Sequence, residues 1–120
     1  EVSDKENYLF NMLNASHDGI LTVNTEYEVV MANEVVRSTF KTRGFNIKKG
    51  FDVRLLSPPG ETEEFLTPYR KAFAGEVVHV ERNYFDHYYL ITYNPIRNER
   101  GEVIGASVFT KEVTEQKKLQ

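Results

Sequence analysis

Three closely spaced runs near the end of the chain constrain the fold most. Residues 77–84, 87–96 and 102–110 are rich in Val, Ile, Tyr, Phe and Thr, the types that fit a pleated, half-buried strand. The gaps between them have room only for turns. Asp86 lies near the first, and Asn98-Glu99-Arg100-Gly101 forms the second, with Gly101 at the position needing positive φ. The three runs therefore predict an antiparallel meander.

Two more β runs stand early, residues 20–24 and 27–32, with only Thr25 and Glu26 between them. So short a gap predicts a hairpin. Asn33 follows as a helix N-cap, and Val35, Val36 and Phe40 give the next helix an apolar side. Gly44 is placed to end it. A helical turn is expected around residues 51–56, and Pro58-Pro59-Gly60 breaks the chain. Phe65, Leu66, Tyr69, Ala72 and Phe73 then recur at helical spacing. Pro68 lies inside that pattern and lacks an N–H, which predicts a kink, or a restart with Thr67 as cap.

At the front, Ser3-Asp4-Lys5-Glu6 has capping-box spacing. Tyr8, Leu9, Met12 and Leu13 then form one apolar stripe on a helix over about residues 4–15. The last residues, 112–120, are polar and helix-favouring. The expected architecture is α+β: a five-stranded antiparallel sheet with short helices on one face, plus an N-terminal flanking helix. Residues 1–16 form that helix, 17–112 the domain, and 113–120 the start of an exit helix.

With 120 residues the chain suits one small core. A net charge of −3 argues against a nucleic-acid grip, which needs concentrated basic surface. No apolar run reaches the length of a membrane span. The absence of cysteine removes disulfides and thiol chemistry and suits a reducing, cytoplasmic setting. The chain lacks an initiating Met and is expected to be a segment of a longer protein.

Several strings, taken in order, carry a resemblance. They are Gly19-Ile20-Leu21-Thr22-Val23-Asn24, Met31-Ala32-Asn33, Tyr69-Arg70-Lys71-Ala72-Phe73-Ala74-Gly75-Glu76, Tyr93-Asn94-Pro95-Ile96 and Gly101-Glu102-Val103-Ile104-Gly105. Glu112-Val113-Thr114-Glu115-Gln116-Lys117 closes the series. Together they resemble the PAS domain, and the last is similar to the Asp-Ile-Thr-Glu-x-Lys signature that joins PAS domains to signalling helices. Glu112 stands where the family prefers Asp. The resemblance implies a non-enzymatic sensor and relay module of a multidomain signalling protein such as a histidine kinase or diguanylate cyclase. Such a module binds a small ligand or dimerises, and passes a change through the last strand to a C-terminal helix. The alternatives are a ligand-free dimerisation spacer and, remotely, a small cone-shaped isomerase-like enzyme using His79 or Glu81.

The same resemblance bears on cofactors. The flavin–cysteine adduct and the coumarate chromophore both require a cysteine, which this chain lacks. Haem relatives place an axial His on the long helix or adjoining loop, and residues 60–75 contain none. No metal site is expected.

Candidate ligand contacts are Leu21, Val23, Asn33, His79, Tyr89, Ile91, Tyr93 and Ser107. Strand alternation places Tyr89, Ile91 and Tyr93 on one face, and in related PAS domains that face meets the helices. Leu21, Val23 and Ser107 are expected to join them. His79 lies within a strand and faces either inward or outward. His17 and His87 read as solvated turn residues. Tyr88, Leu90 and Val108 fall to the other face, which needs a cover. A homodimer is therefore expected, built on Tyr8, Leu9, Met12, Leu13, Tyr88 and Leu90. Glu112, Thr114 and Lys117 are the expected relay residues.

Overall fold

The computed structural model describes residues 18–84 and 86–113. The expected flanking helix with Tyr8, Leu9, Met12 and Leu13, together with His17, Phe85, Thr114 and Lys117, lies outside these residues. The described chain runs β1 (Gly19–Asn24), β2 (Val29–Ala32), α1 (Glu34–Lys41), a 3₁₀ turn (Val53–Leu56), α2 (Thr62–Phe73), β3 (Val78–Tyr84), β4 (His87–Arg97) and β5 (Val103–Glu112). The strands form one five-stranded sheet in the order β2-β1-β5-β4-β3, and every neighbouring pair is antiparallel. The early hairpin thus joins the late meander through β1 and β5, as the α+β reading required.

Two turns use one device. Asn24 Oδ1 accepts hydrogen bonds from the backbone N–H groups of Glu26 and Glu28, at 2.9 and 3.0 Å. Asn98 Oδ1 does the same for Arg100 and Glu102, also at 2.9 and 3.0 Å. In each turn the Asn Nδ2 also donates to the Glu four residues on. The third residue after the Asn has positive φ, Tyr27 at 66° and Gly101 at 82°.

Asn33 begins α1 as expected. Its Oδ1 accepts from Val36 N at 3.2 Å and from Ile20 N at 3.0 Å, while its Nδ2 donates to the Asp18 carbonyl at 2.8 Å. One buried amide thereby ties the start of β1 to the start of α1.

α2 is unbroken across Pro68, so the predicted restart at Thr67 does not occur. A proline at this position leaves the carbonyl four residues earlier without its helical donor. That carbonyl belongs to Glu64, and Arg82 Nη2 of β3 donates to it at 3.3 Å. Tertiary structure thus supplies the bond that the helix cannot.

The core lies between the helices and one face of the sheet. Phe65, Leu66, Tyr69 and Ala72 of α2 are buried against Leu21 and Val23 of β1, Ile91 and Tyr93 of β4, and Ala106 and Val108 of β5. Register fixes which side chains share this face, because residues directly opposite project to the same side. Tyr93 lies opposite Val108 and Ile91 opposite Thr110. Leu21 also lies opposite Val108. Val108 is therefore inner core, where the sequence reading had it outside. Ser107 pairs with Thr22 and Asn94 on the outer face, so its expected inward placement is also reversed.

Candidate functional site

A cavity of about 140 Å³ remains between α1, α2 and the inner face of the sheet. Its apolar wall includes Leu21, Val36, Phe40, Leu56, Phe65, Ile91 and Val108. These are positions where strand alternation and helical spacing turn apolar side chains to one side. The polar lining consists of Thr39, Arg43, Tyr69, Arg82, Tyr89, Tyr93, Thr110 and Glu112.

β3 sends Arg82 inward. Val78, Val80 and Arg82 are half-buried and pair with Tyr93, Ile91 and Tyr89, whereas His79, Glu81 and Asn83 are exposed. The Arg82 guanidinium carbon lies 5.6 Å from the centroid of the Phe65 ring. Its Nε is buried and has no hydrogen-bond partner among the described residues. The two buried phenols nearby stay neutral at ordinary pH. Burial pushes Tyr69 well above the usual tyrosine range, with Tyr93 adding to the shift and the Arg82 charge opposing it. Burial also pushes Tyr93 up to about 12, again opposed by Arg82. The rings of Tyr69 and Tyr93 meet edge to face, centroids 5.1 Å apart.

Arg43, just beyond α1, donates from Nη2 to the Tyr89 hydroxyl at 3.3 Å. At the end of β5, Glu112 Oε2 lies 2.5 Å from His87 Nδ1 on β4. The next residue, Val113, donates its backbone N–H to the Tyr88 carbonyl at 2.8 Å. Glu112 thus lines the cavity and also ends the last strand.

A family model described as PAS fold matches residues 13–118. The chain belongs to the PAS fold family. Several solved structures share this fold, among them the following three. The PAS domain of a protein from Colwellia psychrerythraea is 18% identical, with a TM-score of 0.70, 93% of this chain covered and 99% of that one. A sensory box sensor histidine kinase from Vibrio cholerae is 18% identical, with a TM-score of 0.68, 92% of this chain covered and 94% of that one. A phage VqmA–DPO complex is 16% identical at a TM-score of 0.69; 94% of this chain is covered but only 55% of that one. No protein in the curated set matches the chain.

Of the expected contacts in this PAS domain, Leu21, Tyr89, Ile91 and Tyr93 do line the cavity. Val23 is buried in the core away from it. Asn33 also lies away from it, with its side chain held in the α1 cap. His79 is exposed on the outer face, its Nδ1 3.2 Å from Thr92 Oγ1. Alternation from the inward Val78 and Val80 decides that orientation. Glu81 is exposed as well, so neither residue offered for an isomerase sits in the cavity. Sequence reasoning missed Arg82, Tyr69 and Arg43. The alternating signal for Arg82 was present in Val78-His79-Val80-Glu81-Arg82. Tyr69 was read only as part of an apolar helix stripe. Arg43 follows a helix end, and nothing local marks its reach to Tyr89.

Among the described residues, no group of His, Cys, Asp or Glu could hold a metal ion. No helix among them is long and apolar enough to cross a membrane.

Proposed function

We propose that this PAS domain is a sensory relay module that binds a small molecule in its core cavity. The observation that carries the reading is Glu112. It touches the cavity and is also the last residue of β5, beyond which lies the Glu112-Val113-Thr114-Glu115-Gln116-Lys117 string. A ligand that moves the cavity wall at β4 and β5 would alter the Glu112–His87 and Val113–Tyr88 contacts, and with them the path of the exit segment. Occupancy shifts the exit geometry only by as much as the ligand prefers one arrangement over the other. The VqmA neighbour was solved as a DPO complex, which supports the same kind of role here.

The relay works through a homodimer built on the outer face of the sheet. Leu90 and Phe109 are exposed there. They are diagonal neighbours, since Phe109 pairs with Thr92 and Leu90 with Lys111. Contiguous apolar surface of this kind is what a second copy covers. The reading places this domain within a larger cytoplasmic signalling protein.

Native mass spectrometry of freshly purified full chain tests both parts. A dimer that retains a small molecule is the expected result. A monomer with no retained molecule would count against the dimer, and absence of ligand-induced shifts in the resonances of Ile91 and Tyr93 across a metabolite panel would remove the sensing role. Thr114→Ala should uncouple ligand addition from exit-segment geometry while leaving binding intact.

A further inference from the structure

We infer that the cavity takes a small carboxylate with an apolar body, a single ring or short branched chain, whose carboxylate is held by Arg82 beside the Tyr69 and Tyr93 hydroxyls. This rests on the reading of the cavity as a ligand site and adds the chemical class.

Several hydrogen-bond donors in the interior lack a partner among the described residues. A guanidinium carries five N–H donors and never accepts. Among the described residues, Arg82 makes one hydrogen bond, the 3.3 Å contact from Nη2 to the Glu64 carbonyl. Its Nε is buried without a partner. The Tyr69 and Tyr93 hydroxyls also have no hydrogen-bond partner among the described residues, and as neutral phenols they offer O–H donors. Three donors, one of them cationic, therefore line the cavity together with an apolar stretch around Phe65 and Ile91.

A carboxylate matches this set. It is acceptor-only, with two oxygens that suit the planar fork of an arginine. A cation would meet the Arg82 charge. A neutral apolar molecule would leave the donors unpaired, which is the condition that penalises a polar pocket most. On the same face of the sheet, across Tyr89 from Arg82, Glu112 is engaged by His87 at 2.5 Å. Arg43 and Arg82 outnumber this one acid among the charged side chains lining the space. Size narrows the class further. A cavity of about 150 Å³ accommodates benzene, so about 140 Å³ suits a body of one ring.

The test is titration of the full chain with benzoate, benzamide and benzylamine, followed by calorimetry or by the rise in melting temperature. These probes share one ring and differ in charge. The expected order is benzoate first, roughly tenfold or more tighter than benzamide, as a charge-assisted bidentate bond requires, with benzylamine weakest. Arg82→Gln keeps a donor near the Glu64 carbonyl and should bring benzoate down to the level of benzamide. Benzamide binding as well as benzoate, or a benzoate preference that survives Arg82→Gln, would overturn the carboxylate assignment and leave the cavity as a ligand site. If none of the three probes binds, the ligand-site reading fails and this inference fails with it. The comparison of probes on the unmodified chain is decisive without the variant.

Discussion

Asn33 shows how much one side chain can hold. Its amide carries out three hydrogen-bonding tasks at once, capping α1, accepting from Ile20 and donating to Asp18, while only 2% of the residue is exposed. Removing it loses a cap and leaves buried backbone groups unpaired. Asn33→Ala should therefore destabilise the domain by roughly 2–4 kcal/mol, read as a shift in the urea midpoint with m unchanged. A loss under about 0.5 kcal/mol, the scale of an ordinary surface change, would mean that water replaces the amide freely. Tyr27 is the opposite kind of residue, one whose backbone is unfavourable. A φ of 66° suits Gly or Asn, and the equivalent position in the second Asn turn is Gly101. Tyr27 holds it because its ring packs edge to face on Phe73 and Tyr69, with centroids at 5.3 and 6.1 Å. The Arg54 guanidinium covers the same ring at 5.2 Å.

At the scale of elements, helix and strand repair one another. α2 continues through Pro68 because Arg82 of β3 reaches the Glu64 carbonyl that the proline leaves open. β3 is an edge strand, and an inward-pointing charge is one of the ways such an edge avoids pairing with a foreign strand. The same side chain thus serves helix, edge and cavity. Where β1 meets β5, the limit is steric. A Cβ at Gly105 would lie 2.1 Å from the Val23 carbonyl oxygen, a backbone atom that no rotamer can move. Gly105→Ala should cost about 1–3 kcal/mol and loosen the β1–β5 pairing first. Hydrogen exchange at Val23, whose backbone faces β5, reports that loosening, and unchanged protection there would contradict the packing argument.

For the whole molecule, the buried phenols make stability depend on alkaline pH. Tyr69 and Tyr93 ionise at higher pH when folded than when unfolded, where the value is near 10. Their contribution is fully present below pH 10. It is lost as pH rises from there through about 12, because the unfolded chain releases its protons first. Melting temperature should fall through that window, and Tyr93→Phe should make the fall shallower. Equal slopes for the two proteins would show that Tyr93 is not the group responsible. The sheet also has two unlike faces. The inner one closes over a cavity, and the outer one exposes Leu90 and Phe109, so ligand and partner are proposed to act from opposite sides of the same β4 and β5 strands.

Local sequence by itself determined the elements. Asn33 as a cap, the Asn98 to Gly101 turn and the β-rich runs rest on short-range chemistry, and the ordered strings were enough to reveal the PAS fold. Alternation placed Tyr89, Ile91 and Tyr93 on one face, and the resemblance to PAS domains told which way that face points. Tertiary structure alone decided what depends on register and reach. β5 carries apolar residues at both parities, with Ala106 and Val108 on one and Val103 and Phe109 on the other, so only its pairing with β1 and β4 could turn Val108 inward and Ser107 outward. His79 followed its strand to the outside for the same reason. The roles of Arg82 and Arg43 arise from long side chains that cross between elements, and no local pattern records where such a side chain ends.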